Sequence, residues 1–138
     1  MGTKQQKILI VDDEPDIRDI LSHCLKKVGY SVYTAANGQD GIRESTEFRP
    51  NLIILDVMMP EMSGLEVCRT LRNMIAFKDT FIVFLTARND ESTEIEGFNV
   101  GADDYIQKPI KPQVFVNRIQ SILRRKDFAI GEPMMPIN

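Results

Sequence analysis

Leu52-Ile53-Ile54-Leu55-Asp56 is a short, unbroken apolar run that stops at a carboxylate. Nothing in it alternates between polar and apolar, so it suits a parallel strand covered on both faces. Working outward, three further runs have the same shape. Ile8-Leu9-Ile10-Val11 stops at Asp12-Asp13, Phe81-Ile82-Val83-Phe84-Leu85 at Thr86, and Tyr105-Ile106-Gln107 at Lys108-Pro109. In an open parallel sheet, ligands bind beyond the carboxyl ends of the strands. The pattern therefore predicts three carboxylates, a hydroxyl and an amine on one rim.

Helical patterns fill the gaps between the runs. Ile17, Ile20, Leu21, Cys24, Leu25 and Val28 form one apolar stripe, with Pro15 at the start and Gly29 at the end. Val32–Ala35 reads as a short second strand, and Asn37-Gly38 turns into a second helix through Ile42 and Phe48, closed by Pro50. Leu65, Cys68, Leu71 and Ile75 mark a third helix. Glu91–Val100 marks a short fourth, with only Ile95 and Phe98 clearly apolar, which predicts loose packing. Pro112 opens a fifth, whose stripe is Phe115, Ile119, Ile122 and Leu123. Past Lys126, Gly131, Pro133 and Pro136 interrupt a stretch without periodicity, read as a linker or frayed end.

Five strand–helix units with short connections predict an α/β fold, a three-layer doubly wound sandwich with five helices around a five-stranded parallel sheet. The strand order 2-1-3-4-5 is assigned by analogy with flavodoxin-like sheets, not from the residues themselves. Under that order the first and third helices cover opposite faces, so Cys24 and Cys68 cannot form a disulfide. Both cysteines are read as small buried thiols on apolar stripes.

A chain of 138 residues is one ordinary domain, and 43% hydrophobic with 27% charged residues argues against disorder. A net charge of −3 gives no general attraction to nucleic acid or anionic membrane. Arg124-Arg125-Lys126 is the one basic run, read as a favourable charge at a helix C-terminus. No stretch reaches the ~20 apolar residues of a membrane span. The start, Met1-Gly2-Thr3-Lys4, lacks a secretory signal, so a cytoplasmic location is expected.

Asp12, Asp13 and Asp56 crowded into one crevice repel one another unless a cation joins them. Hard, all-oxygen ligands suit Mg2+ (or Mn2+) that shares phosphate oxygens with a substrate. Lys108 adds a compact positive charge for a phosphoryl oxygen, and Thr86 a hydroxyl donor. The nucleophile facing such a metal is the Asp56 carboxylate, with an aspartyl phosphate as product.

The strings Ile10-Val11-Asp12-Asp13-Glu14, Leu55-Asp56-Val57-Met58-Met59-Pro60, Leu85-Thr86-Ala87-Arg88 and Gly101-Ala102-Asp103-Asp104-Tyr105-Ile106-Gln107-Lys108-Pro109 resemble the receiver domain of two-component response regulators. The likeness covers residues 7–126, leaving 1–6 as an N-terminal extension and 127–138 as a tail. It implies that Asp56 accepts a phosphoryl group from a sensor histidine kinase or phosphotransfer protein. It further implies that Asp13, Asp56 and the Met58 backbone carbonyl hold the metal, with Asp12 acting mostly through water. Lys108 would bond the phosphoryl oxygens, its amine aimed inward by a cis Lys108-Pro109 peptide, and Thr86 with Tyr105 would form the switch pair. The output face would comprise the fourth helix, fifth strand and fifth helix, acting on a target protein or output domain, with a phosphorylation-dependent dimer as one outcome. The resemblance implies no enzyme beyond metal-dependent self-phosphorylation and self-dephosphorylation, and no direct nucleic-acid binding.

Blander readings exist for single residues. Asp12-Asp13 could cap a helix, Thr86 could be another cap, and Tyr105 a core aromatic. Met58, Met59 and Met62 read as gap-fillers, and His23 as solvent-facing. An aspartyl-phosphate-forming phosphohydrolase is the alternative function. It wants a second acid two places after the nucleophile, where Met58 stands. A flavin carrier would need a Ser/Thr/Gly cradle after the first strand, where this chain has acids. At the output face the resemblance expects an Arg–Glu pair where Glu94 and Val114 stand, while Asp104 and Arg118 retain a second pair. Exposed Val114 with Ile110 could serve a different partner.

Overall fold

The computed structural model describes residues 5–87, 96 and 99–131. Five parallel strands, β1 (Lys7–Val11), β2 (Ser31–Ala35), β3 (Leu52–Asp56), β4 (Phe81–Thr86) and β5 (Asp104–Gln107), lie in the order β2-β1-β3-β4-β5. The expected winding is therefore present. The helices are α1 (Pro15–Lys27), α2 (Gly38–Phe48), α3 (Gly64–Arg72) and a C-terminal helix (Pro112–Gly131), with a 3-10 turn at Ile75–Phe77. The expected fourth helix, with Ile95 and Phe98, lies mostly outside the described residues.

Alternate residues of each strand feed two separate cores, because side chains point to opposite faces with period two. Ile8, Ile10, Leu52, Ile54, Val83 and Leu85 meet Leu21 and Leu25 of α1 and Phe115, Ile119 and Ile122 of the C-terminal helix. Leu9, Val11, Ile53, Leu55, Ile82 and Phe84 meet Val67, Cys68 and Leu71 of α3. Cys24 packs on the first core and Cys68 in the second, so the sheet separates the two thiols as expected.

Several packing expectations need correction. Only β1, β3 and β4 are covered on both faces; β2 and β5 are sheet edges, and Tyr33 and Gln107 are exposed. Ile20 and Val28 leave the α1 stripe for solvent, because a helix lying on one sheet face buries only a narrow arc. Cys24 is only half-buried. Ile75 is 86% exposed: α3 ends at Arg72, and Phe77 of the following turn takes the core place. The C-terminal helix runs on to Gly131, past the end of its apolar stripe at Leu123. Arg124 and Arg125 therefore precede the last turn and do not cap it.

Local signals set the element ends. Pro15 occupies the first turn of α1, and Gly29 just beyond it takes φ +105°, a conformation glycine adopts without a Cβ penalty. Asn37 caps α2 by accepting from the Asp40 backbone N–H, and Ser63 with Glu66 closes a capping box on α3.

Candidate functional site

Register places the site. Val11 pairs with Leu55, Asp56 with Leu85, and Thr86 with Gln107, so four neighbouring strands stop at nearly one level. The residues that follow are forced onto one rim at the switch point between β1 and β3. Asp12 leaves β1 with its N–H still bonded to the Ala35 carbonyl, and Lys108 leaves β5 with its N–H bonded to the Thr86 carbonyl at 2.8 Å.

Asp12, Asp13 and Asp56 each bring a carboxylate oxygen within 4.8 Å of the others. Asp12 and Asp56 are buried and Asp13 is exposed. Lys108 reaches in from the opposite side, its Nζ 3.7 Å from Asp12 Oδ2, 3.5 Å from Asp56 Oδ1 and 3.4 Å from Glu14 Oε1. The Lys108-Pro109 peptide is cis. Thr86 is buried at the end of β4 and its Oγ1 has no hydrogen-bond partner. Tyr105 is buried beside Phe84, with ring centroids 6.2 Å apart.

Burial pushes the Asp56 carboxyl up to about 6, and the neighbouring Asp12 charge adds to that rise, against the pull of Lys108. Burial also raises the Asp12 carboxyl, opposed by its hydrogen bond from the Glu14 backbone and by Lys108. For Lys108, burial alone lowers the pKa, but the carboxylates of Asp56, Asp12 and Glu14 together leave it raised. One amine thus faces three acids, and the pocket is short of positive charge.

This donor set fits a hard divalent cation. Asp12 Oδ2 is buried with no hydrogen-bond partner, and the Lys108 amine at 3.7 Å offsets its charge without bonding it. Asp12 Oδ1 is already used by the Glu14 backbone N–H at 2.9 Å, and Asp56 Oδ1 receives the Met58 N–H at 3.3 Å. The second oxygen of Asp12 has room for a further ligand, as a divalent cation would be.

Of the sequence-expected site residues, Asp12, Asp13, Asp56 and Lys108 come together, while Thr86 ends β4 and Tyr105 lies in β5. Met58 corrects one expectation: its side chain is 71% exposed and fills no gap, whereas Met59 is buried. Glu14 and Arg18 were given no role by sequence reasoning. Glu14 stands beside the acid pair in the motif, but its ion pair with Lys108 spans 94 positions. Arg18 donates from Nη1 to the Asp12 carbonyl at 2.7 Å, one helical turn into α1. Arg88 and Glu94 lie outside the described residues. Arg118 and Asp104 are paired at 3.1 Å, and Val114 is 56% exposed.

The response regulator receiver domain profile matches residues 8–120. This chain belongs to that family. The receiver is 43% identical over 133 residues to the probable transcriptional regulator ycf27 of Porphyridium aerugineum, covering 96% of this chain and 54% of that protein. It is 41% identical over 125 residues to the alkaline phosphatase synthesis transcriptional regulatory protein PhoP of Bacillus subtilis strain 168, covering 90% and 51%. The chemotaxis protein CheY4 of Vibrio cholerae superposes with a TM-score of 0.83 at 35% identity, covering 86% of this chain and 99% of that one. The receiver spans about half the length of the curated relatives it matches. As a receiver it is a phosphoacceptor switch of two-component signalling, and the phosphohydrolase alternative is not favoured. No helix among the described residues is long and apolar enough to cross a membrane.

Proposed function

We propose that Asp56 is the phosphoacceptor and that the phosphoryl group comes from a phosphohistidine of a sensor kinase or phosphotransfer protein. The observation that carries this reading is the convergence of the Asp12, Asp13 and Asp56 carboxylates with the Lys108 amine at the end of the sheet. Asp56 is the central, buried member of that group.

An Asp56 carboxylate oxygen forms the new P–O bond as the P–N bond of the donor breaks, and the departing imidazole takes up a proton. Asp12, Asp13, Asp56 and the Met58 carbonyl would hold Mg2+ (or Mn2+). That ion supplies charge neutralisation for the transferring group. Lys108 bonds a phosphoryl oxygen and offsets its charge. Thr86 then gains the acceptor that its hydroxyl lacks in the resting state, and Tyr105 repacks behind it.

The added group carries up to about two negative charges at one point. A change from mostly off to mostly on needs about 5 kcal/mol of differential interaction. The Thr86 bond and the Tyr105 repacking supply part of this at the face of β5 and the C-terminal helix. We assign the domain to residues 7–126 and the location to the cytoplasm. The output acts through a partner or further domain, since the curated relatives are about twice as long. Phosphorylation-dependent dimerisation through this face is one form of that output.

Incubation with acetyl phosphate and magnesium, followed by intact-mass measurement, tests the assignment. Wild-type protein should gain one phosphoryl group and Asp56→Asn none. Labelling of the Asn variant at the wild-type level would transfer the role to another residue.

A further inference from the structure

Glu14 has the least expected contact in the site. Its backbone is fixed at the start of α1: its N–H is held by Asp12 Oδ1 at 2.9 Å, and its carbonyl accepts from the Arg18 N–H at 3.2 Å. At this N-cap position its side chain makes no cap of its own. Instead it crosses to Lys108, whose backbone is equally fixed by the Thr86 carbonyl. The backbones on both sides of the ion pair are therefore anchored.

The three acids around the amine are unequal. The Asp12 and Asp56 side chains are 0% and 6% exposed and belong to the metal and phosphoryl site, whereas Glu14 is 60% exposed on the solvent side. The amine is shared almost equally, 3.4 Å from Glu14 and 3.5 Å from Asp56, so a phosphoryl group on Asp56 would compete with Glu14 for it. A shared cation cannot satisfy both at full strength.

We propose that Glu14 is a positioning residue that takes a share of the Lys108 amine in the unphosphorylated protein and competes with the phosphoryl group for it. This rests on the proposed role of Lys108. The tether sets a resting bias against the phosphorylated form and is released when that form is made. A partly exposed pair of this kind changes an equilibrium by about two- to fivefold.

The test measures binding of beryllofluoride, a phosphoryl mimic, in magnesium by amide chemical shifts, for wild type, Glu14→Gln and Glu14→Asp. Gln removes the charge. Asp keeps the charge but is one methylene too short to reach the amine. Both variants should bind beryllofluoride about two- to fivefold more tightly at saturating magnesium, with an unchanged melting temperature. The gain should vanish in a Lys108→Met background. If Asp behaves like wild type while Gln tightens binding, Glu14 acts only by general repulsion and the tether is wrong. Equal or weaker binding in both variants also overturns it. Failure of wild-type protein to bind the mimic at all would instead overturn the phosphoacceptor reading.

Discussion

Arg72 Nη2 lies 2.9 Å from Asp103 Oδ2, at the end of the sheet opposite Asp56. The same guanidinium donates to the carbonyls of Gly101, Phe77 and Thr80, and Asp103 Oδ2 also receives the Ile82 N–H. One side chain of α3 thus ties together the loops that enter β4 and β5. With Cys68 Sγ donating to the Val100 carbonyl, it fixes where the segment before β5 must end.

Removing that guanidinium takes a donor from the Gly101, Phe77 and Thr80 carbonyls and the charge partner from Asp103, which keeps only the Ile82 N–H on that oxygen. Arg72→Ala should destabilise the domain by about 2–4 kcal/mol in urea unfolding. Arg72→Lys should recover little, since one ammonium cannot serve four acceptors in a fixed fork. A loss below about 0.5 kcal/mol would mean that these loops are held by other contacts.

The pH response follows from Asp56. An unperturbed Asp titrates near 3.8, and metal-free folded Asp56 titrates at about 6. Between those values the folded chain binds more protons than the unfolded one, so this group's contribution to stability falls as pH rises through the window. Asp56→Asn removes the penalty. Its melting temperature without metal should exceed that of wild type at about pH 7.5, by more than at about pH 5. A gap that is constant with pH would show that the raised Asp56 carboxyl is not responsible.

Magnesium competes with the same proton. Its affinity for wild-type protein should rise as pH increases through about 6, where Asp56 loses that proton. Titration calorimetry in two buffers of different ionisation enthalpy would reveal proton release. None should accompany binding if Asp56 is already ionised across the window.

Thr86 carries a buried hydroxyl with no partner, so replacement by an apolar side chain of the same shape removes a liability. Thr86→Val should be as stable as wild type, or up to about 1 kcal/mol more stable, in the resting state. It should take up phosphate on Asp56 yet fail to shift the Tyr105 amide resonance on activation. A wild-type shift would remove the hydroxyl from the switch.

Gly64 opens α3 directly behind Asp56. A Cβ there would collide with the Asp56 carbonyl and crowd Val57, both backbone groups that cannot yield cheaply. Gly64→Ala should therefore destabilise by roughly 1–3 kcal/mol and slow phosphoryl uptake by displacing Asp56. Normal uptake in a stable variant would show that the β3–α3 turn tolerates the shift.

The amino-acid sequence by itself determined the strands, most helix starts and the identity of the rim residues. Apolar runs, caps and strand-end acids are local patterns, and side-chain periodicity reports them without knowledge of partners. The edge exposure of β2 and β5, the exposure of Ile20 and Ile75, and the continuation of the last helix to Gly131 depended on what packs against each surface. The ion pair of Glu14 with Lys108 and the Arg72 clamp were likewise decided only by tertiary structure. They join segments brought together by parallel crossovers, and no local pattern in either segment encodes the distance between them.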